Sequence, residues 1–400
     1  MIAKFKPCRL HGRIDAPPSK SMAHRYLICA SLSGQRCTIS GIDYSDDILA
    51  SIDALSALGA KITVDGGSVT VDPTGFMKAE NIIFSCKESG STLRFLIPLS
   101  LTLGKPVVLR GSERLFERPL GVYEELCRDR GFTFNKGKDS LTVCGSLSGG
   151  DYRISGDVSS QFITGLLFAL VYLGKRSSLE IIPPFYSRPY VDMTISALKA
   201  FGANIEFTDE YKIEIIPARL HAFFGRVEGD FSNAAFLDAF NRIGSEIEIG
   251  NLTPGSLQGD RVYSDYFDML SCGMPTLDVS DCPDLAPVLI ALASLGEGAV
   301  LTGTDRLRAK ESDRGRAMHE ELSKLGGGLI FGDNSITVPG RNLEYKGAPL
   351  DGHGDHRIVM ALSVILSVTG GEIAGAEAVK KSYPSFFDDI KRLGAEVELI

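Results

Sequence analysis

Five side chains that can hold or move charge lie within seven residues near the start of the chain. Residues 17–32 read PPSKSMAHRYLICASL, so that two serines, Lys20, His24 and Arg25 directly precede a run that is nearly all apolar. A helix amino terminus carries free N–H donors and about half a positive charge. Hydroxyl and cationic groups at such an end predict that an anion binds at the start of a buried helix.

The same arrangement returns along the chain, with a small polar cluster at the start of a strongly apolar segment. Serine, aspartate and threonine at such positions satisfy the free N–H groups of a first helical turn. Segments that are apolar almost all round predict buried helices. The six copies read SKSMAHRYLICASL, ESGSTLRFLIPLSL, DVSSQFITGLLFAL, DFSNAAFLDAF, DCPDLAPVLIAL and GDHRIVMALSVI. If their polar ends face a common cleft, they provide a local positive site in an acidic protein.

A second pattern of six copies alternates with the first. Each copy is a helical segment that ends at a glycine and is followed by alternating apolar residues, as in SALGAKITV and KRLGAEVEL. Glycine just past a helix end adopts the left-handed conformation without steric cost, and the period-2 segment after it predicts a strand. The glycines are Gly59, Gly131, Gly202, Gly273, Gly326 and Gly394.

Together the two patterns predict the fold class and the domain organisation. Six units of roughly 70 residues, each with strands around two helices, are too long for a thin solenoid repeat. They predict an α/β protein of two pseudo-symmetric domains with three units each. We expect the first domain to span residues 14–226 and the second to combine residues 1–13 with 227–400, because the third and fourth copies meet near residues 225–230.

Composition limits the class of protein and its surroundings. The chain has 400 residues, of which 44% are hydrophobic and 23% charged, and this suits two globular domains. The longest apolar runs fall short of the ~18 residues that a membrane span needs, and no secretion signal is recognisable, so we expect a cytoplasmic protein. The eight cysteines form no CxxC pair and are expected to be reduced and mostly buried.

The net charge of −8 argues against a protein that coats nucleic acid, which usually presents a basic stripe. An anion must therefore be bound by a local cluster of cations. Arginine presents a planar fork and lysine a compact charge, so the set predicts small ligands with carboxylate and phosphate groups, although any single member is more often a solvated surface charge. Four lie at predicted helix starts, Lys20, Arg25, Arg94 and Arg357, and four in polar stretches between units, Arg118, Lys310, Arg314 and Lys381.

Nine short motifs give the chain a resemblance to the 5-enolpyruvylshikimate-3-phosphate (EPSP) synthase family. In order they are PSKSMAHR, SGSTLRFL, ERPL, GDVSSQF, SRPY, PDLAP, RAKESDR, GDHRI and KKSYP. The resemblance covers nearly the whole chain and rests on the ordered combination, because a single motif such as ERPL is weakly specific. It implies two domains, each of three βαβαββ units with buried helices in an inside-out α/β barrel, with the active site in the cleft between them.

The resemblance also implies a reaction. The carboxyvinyl group of phosphoenolpyruvate is transferred to the 5-hydroxyl of shikimate 3-phosphate and phosphate is released, by addition and then elimination through a tetrahedral intermediate. No metal or organic cofactor is implied. The expected partners are these two small molecules, with no nucleic acid and no membrane, and we expect a monomer. Such chemistry needs groups for the hydroxyl proton and the methylene proton, and several cations for two polyanions.

Three residues match the catalytic positions of the family. Asp284 in SDCPDLAP matches the base toward the 5-hydroxyl, although a helix-start cap is its structural alternative. Glu311 matches the glutamate that handles the proton at the enol carbon, with Lys20 as the other candidate, and the choice between them stays open. An ion-pair network on a helix is the alternative explanation for Glu311, Lys310 and Arg314.

The binding residues carry over from the same motifs. The expected ligands of shikimate 3-phosphate are Lys20, Ser21, Arg25, Ser159, Ser160, Gln161, Ser187, Asp284 and Lys310. Those of phosphoenolpyruvate are Lys20, Gly90, Arg118, Gln161, Arg314, Arg357 and Lys381. The expected supporting residues are His356, Arg94 and Tyr190. Ordinary caps, loop glycines and packing contacts are the structural alternatives for the serines, Gly90 and Tyr190.

Three other functions compete with this interpretation. A sister enzyme that transfers enolpyruvyl to a UDP-sugar commonly has a cysteine in the loop before its arginine, but the loop here, GSERLFERPL, has none. An RNA terminal-phosphate cyclase should carry a nucleic-acid surface, against which the net acidity argues. A non-catalytic anion-binding protein would tolerate neutral residues at Asp284 and Glu311. A metal site at His353, Asp355 and His356 would need three or four ligands in a fixed arrangement, and we expect none.

Overall fold

The chain divides into two α/β units and passes between them twice. The computed structural model describes residues 1–400. The N-terminal unit is formed by Pro18–Glu228, and the C-terminal unit by Met1–Pro17 together with Gly229–Ile400. Each unit has its own buried apolar core.

Both crossings lie a few residues later than we expected from the sequence, at 17/18 instead of 13/14 and at 228/229 instead of 226/227. Backbone hydrogen bonds explain the difference. The N–H of Asp230 donates to the carbonyl of Pro17 at 2.8 Å, which holds the first segment in the C-terminal unit. The N–H of Ser19 donates to the carbonyl of Glu228 at 2.8 Å, which holds residue 228 in the N-terminal unit.

Helices and strands alternate in the order that the two sequence patterns predict. The α-helices are α1 Lys20–Leu32, α2 Asp46–Ala57, α3 Gly90–Ser100, α4 Glu113–Glu117, α5 Gly121–Arg130, α6 Ser160–Leu173, α7 Arg188–Ala200, α8 Phe231–Arg242, α9 Tyr263–Leu270, α10 Ala286–Leu295, α11 Arg314–Lys324, α12 His356–Thr369 and α13 Phe386–Arg392. Three short 3-10 segments are Gly259–Val262, Asp305–Ala309 and Ala376–Lys381.

The strands are short, as expected for segments between buried helices. In the N-terminal unit they are β3 Cys37–Ser40, β4 Lys61–Asp65, β5 Ser68–Asp72, β6 Ile82–Ser85, β7 Val107–Arg110, β8 Thr133–Lys136, β9 Ser140–Cys144, β10 Asp151–Ser155, β11 Ser177–Ile182, β12 Asn204–Phe207, β13 Lys212–Ile216 and β14 Phe224–Arg226. In the C-terminal unit they are β1 Ile2–Phe5, β2 His11–Asp15, β15 Glu246–Gly250, β16 Thr276–Asp278, β17 Gly298–Thr302, β18 Ile330–Gly332, β19 Ser335–Pro339, β20 Leu350–Asp351, β21 Gly371–Ala374 and β22 Val397–Leu399.

Three four-stranded sheets form the N-terminal unit, and each corresponds to one βαβαββ unit. In the second sheet, β6 pairs in parallel with β7, and α3 connects these two strands. Strands β8 and β9 form a hairpin, and β9 pairs antiparallel with β7. The third sheet repeats this order with β10 to β13. In the first sheet the leading strand is β14, from the far end of the unit, which pairs in parallel with β3.

The C-terminal unit has two four-stranded sheets and one sheet of only two strands. Strands β16 to β19 form a complete copy, and β1 completes the last sheet by pairing antiparallel with β21 and β22. The remaining sheet contains only β2 and β15. The strand that follows α9, β16, pairs with β17 and so belongs to the next sheet. The predicted α/β class is confirmed, while the fourth of the six units is shorter than the sequence pattern suggested.

The six apolar helices are buried along nearly their whole length, as predicted. In the N-terminal unit α6 packs against α1 and α3, and in the C-terminal unit α10 packs against α8 and α12. Five of these helices are capped by a side chain, from Ser19, Ser89, Ser159, Asp230 and Asp355. The six glycines predicted at helix ends all have positive φ, between +67° and +136°. The sequence therefore specifies both ends of these repeated elements.

Two further expectations concern the environment of the chain. None of the helices is long and apolar enough to cross a bilayer. All eight cysteines are free thiols, and five of them are buried. Burial in an apolar surrounding makes a thiol behave as a small hydrophobic side chain.

Gly165 sets how closely α6 approaches α3. A Cβ at this position would overlap the carbonyl oxygen of Arg94 and the hydroxyl of Tyr123. We predict that Gly165→Ala lowers the free energy of unfolding by about 2 kcal/mol, because backbone atoms must move to relieve the overlap. Gly121, at the first position of α5, has open space around it, so Gly121→Ala should change the free energy by less than about 1 kcal/mol. Urea unfolding measures both, and equal effects would contradict the prediction.

Candidate active site

Asp284 lies in the C-terminal unit between β16 and α10, and it does not cap that helix. The N-cap position of α10 belongs to Leu285, where no side chain bonds the first turn. The carboxylate of Asp284 instead accepts hydrogen bonds from three cations. Lys310 Nζ donates to Oδ1 at 3.1 Å, Arg314 Nη1 donates to Oδ1 at 2.7 Å, and Arg357 Nη2 donates to Oδ2 at 2.9 Å. The capping alternative for Asp284 is therefore excluded.

Arg314 links this carboxylate to two others. It is the first residue of α11, where the sequence placed it in a stretch between units, and it is only 1% exposed. Its Nε donates to Asp355 Oδ2 at 2.9 Å, and its Nη2 donates to Glu311 Oε2 at 2.8 Å. The planar guanidinium has five N–H donors in fixed directions, so one side chain can hold several acceptors at once.

Asp355 is a member of the cluster that sequence reasoning did not identify. Its Oδ1 caps α12 by accepting from the N–H of Arg357 at 2.9 Å, and its Oδ2 accepts from Ser312 Oγ at 3.1 Å as well as from Arg314. Apart from the metal site considered and not expected at His353, Asp355 and His356, the sequence signal was an aspartate directly before an apolar helix. That signal is also the ordinary signature of a cap. The structure adds the second role, because Arg314 donates to both oxygens of the same carboxylate, to Oδ2 at 2.9 Å and to Oδ1 at 3.5 Å.

Mutual pairing sets the protonation states in this cluster. Burial disfavours the charge of Asp284, but Arg357, Lys310 and Arg314 outweigh this effect and hold the pKa of its carboxyl well below the usual range. Burial lowers the pKa of the Lys310 ammonium to about 8, against the opposing attraction of Asp284. Asp284 is therefore ionised at neutral pH, and Lys310 begins to lose its charge just above neutral pH.

Arg357 has buried donors that no protein group accepts. It is 4% exposed, and its Nε and Nη1 have no hydrogen-bond partner, although Nη2 is bound to Asp284. An unpaired buried N–H group on a cation is costly, and such groups are usually satisfied in a functional state. These donors are suited to the carboxylate or phosphate oxygens of an anionic ligand.

Lys381 and His356 complete the cluster. The ammonium of Lys381 donates to the carbonyl of Gly354 at 2.5 Å, in the loop before α12. His356 is the first residue of α12, with its Nδ1 3.8 Å from Asp355 Oδ1. The structure thus brings together all the site residues that were predicted in the C-terminal unit, Asp284, Lys310, Glu311, Arg314, His356, Arg357 and Lys381.

In the N-terminal unit, Lys20 opens helix α1 and forms an ion pair. Its ammonium donates to Asp47 Oδ2 at 2.7 Å, and both side chains are largely buried, with 15% and 11% exposed. Asp47 lies near the start of α2, and no sequence pattern connects it to Lys20. The pair fixes the lysine at the helix start that the sequence predicted.

Arg25 is held by neutral oxygens. Its Nε donates to Thr194 Oγ1 at 2.9 Å, its Nη1 to the carbonyl of Ser21 at 2.7 Å and its Nη2 to the carbonyl of Tyr190 at 2.7 Å. Burial lowers the pKa of Arg25 to about 10, so it stays protonated at neutral pH. The N–H of Tyr190 donates to the carbonyl of Ser187 at 3.1 Å. Four of the predicted residues therefore form one group.

A second group joins the starts of α3 and α6. Arg94 Nη1 donates to Gln161 Oε1 at 2.7 Å, and Gln161 Nε2 donates to Ser91 Oγ at 3.0 Å. A Cβ on Gly90 would lie 2.8 Å from Arg118 Nη1 and 2.9 Å from Arg94 Nη1. Glycine at this position therefore allows two guanidinium groups to reach the start of one helix.

Ser159 and Ser160 stand at the start of α6, beside this group. Ser159 Oγ accepts from the N–H of Gln161 at 3.3 Å, so the capping alternative holds for Ser159. Ser160 is the first residue of the helix and is 5% exposed. A capping hydroxyl still has a proton to donate, so a cap can also contact an anion.

His24, the histidine of the opening motif, has a structural role. Its Nδ1 lies 2.8 Å from Ser51 Oγ, which lies 2.7 Å from Thr92 Oγ1, and Thr92 donates to Ser89 Oγ at 2.8 Å. This buried chain of hydrogen bonds connects α1, α2 and the start of α3. It explains why so much hydrogen-bonding capacity precedes an apolar helix.

Comparison with known proteins agrees with these observations. A family model described as EPSP synthase (3-phosphoshikimate 1-carboxyvinyltransferase) matches residues 5–390. The 3-phosphoshikimate 1-carboxyvinyltransferases of Clostridium kluyveri and Clostridium acetobutylicum are 39% and 38% identical to this chain, and each alignment covers 98% of this chain and 97% of the relative. The fold is similar to that of an EPSP synthase from Acinetobacter baumannii, with a TM-score of 0.80, 23% identity and 99% of both chains covered.

Each of the two α/β units has cations near the starts of its buried helices, and this is the arrangement expected of an enzyme that handles small anions. The chain belongs to the EPSP synthase family. The family resemblance predicted from nine motifs is thereby confirmed, and so is the class of enzyme, a transferase.

Loss of Asp355 should leave the buried guanidinium of Arg314 short of a partner. We predict that Asp355→Ala lowers the free energy of unfolding by about 3 kcal/mol or more, since it breaks a buried ion pair and a helix cap. Asp268, which pairs with Arg242 at 2.7 Å and is 71% exposed, provides a matched control, and Asp268→Ala should cost less than about 1 kcal/mol.

The pH dependence of this difference gives a second readout. Because Arg314 helps to hold the pKa of Asp355 below its usual value of 3.8, the contribution of the pair is present above that value and is lost as the pH falls further. Urea unfolding at several pH values measures the difference. Equal losses in both variants at neutral pH would contradict the proposed role of Asp355.

Proposed function

We propose that this chain transfers the carboxyvinyl group of phosphoenolpyruvate to the 5-hydroxyl of shikimate 3-phosphate, with release of phosphate, and that the two clusters described above carry the reaction. The observation that supports this most strongly is the convergence of Lys310, Arg314 and Arg357 on the carboxylate of Asp284. A base surrounded by cations is what an addition to a phosphorylated enol requires. Family membership supplies the identity of the substrates.

Phosphoenolpyruvate carries a carboxylate and a phosphate, and the proposal assigns both to cations. Arg357 has two side-chain nitrogens, Nε and Nη1, whose N–H groups have no partner and can bind an anion, and Lys381 has an ammonium that can exchange its carbonyl partner for an anion. Arg314 is more fixed, because carboxylates already occupy its donors. The remaining residues in this assignment are Lys20, Gly90, Arg118 and Gln161.

Shikimate 3-phosphate is assigned mainly to the N-terminal unit. Hydroxyl groups and helix N–H donors suit a phosphate monoester, and Arg25 adds a buried cation that no carboxylate neutralises. The residues in this assignment are Ser21, Arg25, Ser159, Ser160, Gln161 and Ser187, with Lys20, Lys310 and Asp284 as additional contacts. Tyr190 and Arg94 support them by holding Arg25 and Gln161.

In the proposed mechanism, Asp284 takes the proton of the 5-hydroxyl. The hydroxyl oxygen bonds to C2 of phosphoenolpyruvate at the same time, while C3 gains a proton. The tetrahedral adduct then loses phosphate and a C3 proton, which restores the double bond. A carboxylate paired with three cations is a weak base. Because Lys310, Arg314 and Arg357 are also assigned to the substrates, we propose that the bound anions compete for these cations and raise the pKa of Asp284.

Glu311 and Lys20 are the proposed groups for the proton at C3. Glu311 is bound to Arg314 and Lys20 to Asp47. Each contact pairs the side chain with a group of opposite charge. A charged ammonium can donate a proton and a carboxylate can accept one. The protons balance if Lys20 donates to C3 in the addition and Glu311 accepts a C3 proton in the elimination.

The proposal includes the setting of the enzyme. Free and mostly buried thiols are typical of a reducing compartment, and this supports the cytoplasmic location expected from the sequence. The monomeric state stays a prediction that size-exclusion chromatography with light scattering can test.

The assignment is tested by incubation with shikimate 3-phosphate and phosphoenolpyruvate while phosphate release is followed. We predict release by the wild type and a loss of about 100-fold or more in kcat for Asp284→Asn, as expected when a general base is lost. Asp265→Asn, at an exposed position of α9, is the control and should retain normal turnover. Release only with a UDP-sugar as acceptor would refute the substrate assignment. Normal turnover of Asp284→Asn would refute the role of the base.

The low pKa of Lys310 predicts a pH-dependent affinity for shikimate 3-phosphate. Below about 8 the ammonium is charged and can bind the ligand, and above that value it becomes neutral. The dissociation constant measured by calorimetry should therefore increase between pH 7 and pH 9 in the wild type and increase less in Lys310→Arg, since arginine stays charged. The same increase in both proteins would show that Lys310 does not control the affinity.

A further inference from the structure

One short loop contacts or adjoins three of the groups assigned to phosphoenolpyruvate, namely Arg314, Lys381 and Arg357. It joins the end of β20 at Asp351 to the start of α12 at His356. Within or beside it lie Asp355, which holds Arg314, and Gly354, whose carbonyl accepts from Lys381. Arg357 follows directly. A small shift of this loop would therefore move several anion-binding groups together.

Glu321 holds this loop from the last turns of α11. It is 1% exposed and accepts three hydrogen bonds. The N–H of Asp351 donates to Oε2 at 2.8 Å, Lys324 Nζ donates to Oε2 at 2.7 Å, and His353 Nε2 donates to Oε1 at 2.9 Å. Helix α11 is thus tied to the loop at both ends, through Arg314 at its start and Glu321 near its end.

The loop backbone needs such support. His353 has φ of +49° and Gly354 has φ of +61°, so two successive residues are left-handed. Glycine adopts this conformation freely, but a histidine there is strained and persists only when its surroundings fix it. Two contacts of His353 do so, its N–H to Asp351 Oδ1 at 2.6 Å and its ring to Glu321.

We propose that Glu321 and His353 form a clasp that positions the loop for phosphoenolpyruvate, and that protonation of His353 tightens it. The clasp acts through Arg357 and Lys381, so both of its members are positioning residues. The proposal rests on the assignment of these two cations to phosphoenolpyruvate.

The charges around His353 give the sign of the effect. Glu321 and Glu320 face its ring from α11, with Glu320 Oε2 at 4.0 Å, Asp351 faces it from its own loop, and Lys324 lies on the far side of Glu321. The hydrogen bond to Glu321, and then the acidic neighbours, raise the pKa of His353 above its usual value of 6.5. The charged clasp is thus complete below that value and weakens as the pH rises through the raised pKa.

Glu320, Glu321 and His353 could also be thought to hold a metal ion, because their ligand atoms lie within 4.8 Å of one another. The ammonium of Lys324 already occupies Glu321 Oε2, together with the N–H of Asp351. A cation bound by this carboxylate would face the lysine charge. The contacts therefore favour a hydrogen-bonded clasp.

The test is the KM for phosphoenolpyruvate and kcat of the wild type, His353→Gln and Glu321→Gln between pH 6 and pH 9. Glutamine keeps a neutral hydrogen bond but cannot titrate. We predict that the ratio of the KM of His353→Gln to that of the wild type is about threefold or more at pH 6 and approaches one at pH 9, with kcat changed less than about twofold. Titration of the substrate itself cancels in this ratio.

Glu321→Gln should show the same trend, and His353→Gln, at a partly exposed position, keeps the test valid if the Glu321 variant does not fold. His11→Gln is the matched control, because His11 is an exposed histidine whose Nδ1 lies 3.9 Å from Glu246 Oε2. The ratio of its KM to that of the wild type should stay near one at every pH. A ratio for His353→Gln that does not vary with pH, or a change in kcat alone, would overturn the clasp. Loss of the difference when EDTA is added would overturn it in favour of a metal site.

A separate arm distinguishes failure of the clasp from failure of the assignment on which it rests. Arg357→Lys at pH 6 should raise the KM for phosphoenolpyruvate by about tenfold, because a lysine ammonium cannot replace the separate donors Nε and Nη1. An unchanged KM would refute the assignment of Arg357. A raised KM together with a pH-independent ratio for His353→Gln would refute only the clasp.

Discussion

Cations buried close to one another must be compensated, and this constraint organises the C-terminal unit. Lys310, Arg314 and Arg357 would repel one another without the carboxylates between them. Asp284 and Asp355 provide that compensation, and each comes from the start of a buried helix or the residues just before it. The packing of α10 against α12 therefore determines the electrostatics of the site. An acidic protein can in this way keep a small cluster that attracts anions.

In the N-terminal unit Lys20 is also paired with a carboxylate, but Arg25 is compensated by different means. Arg25 is bound by carbonyl and hydroxyl oxygens, and no carboxylate neutralises it. Helices α1 and α2 are joined to the start of α3 by uncharged hydroxyl groups and His24. Because these partners are neutral acceptors, the positive charge of Arg25 stays available for a bound phosphate. Such a site suits a substrate that binds and leaves, whereas paired charges suit groups that change protonation during turnover.

Much of this arrangement could be predicted from the sequence, because it depends on short local patterns. Ser19 and Gly59 mark the start and end of elements by their own conformational preferences, and Asp284 and Glu311 lie in motifs on which the family resemblance was based. Asp47 and Glu321 could not be predicted, since their partners lie 27 and 32 residues away and no periodicity connects them. The shortened fourth unit was also hidden, because only pairing shows that β16 belongs to the next sheet.

The central claim is that cations hold Asp284 as a weak base until the substrates compete for them. The most direct measurement is the titration of its carboxyl carbon by NMR, in the free enzyme and with shikimate 3-phosphate plus phospholactate, a saturated analogue of phosphoenolpyruvate. We predict a pKa below the usual aspartate range in the free enzyme and a higher pKa in the complex. An ordinary pKa in the free enzyme, or no change on binding, would contradict this account.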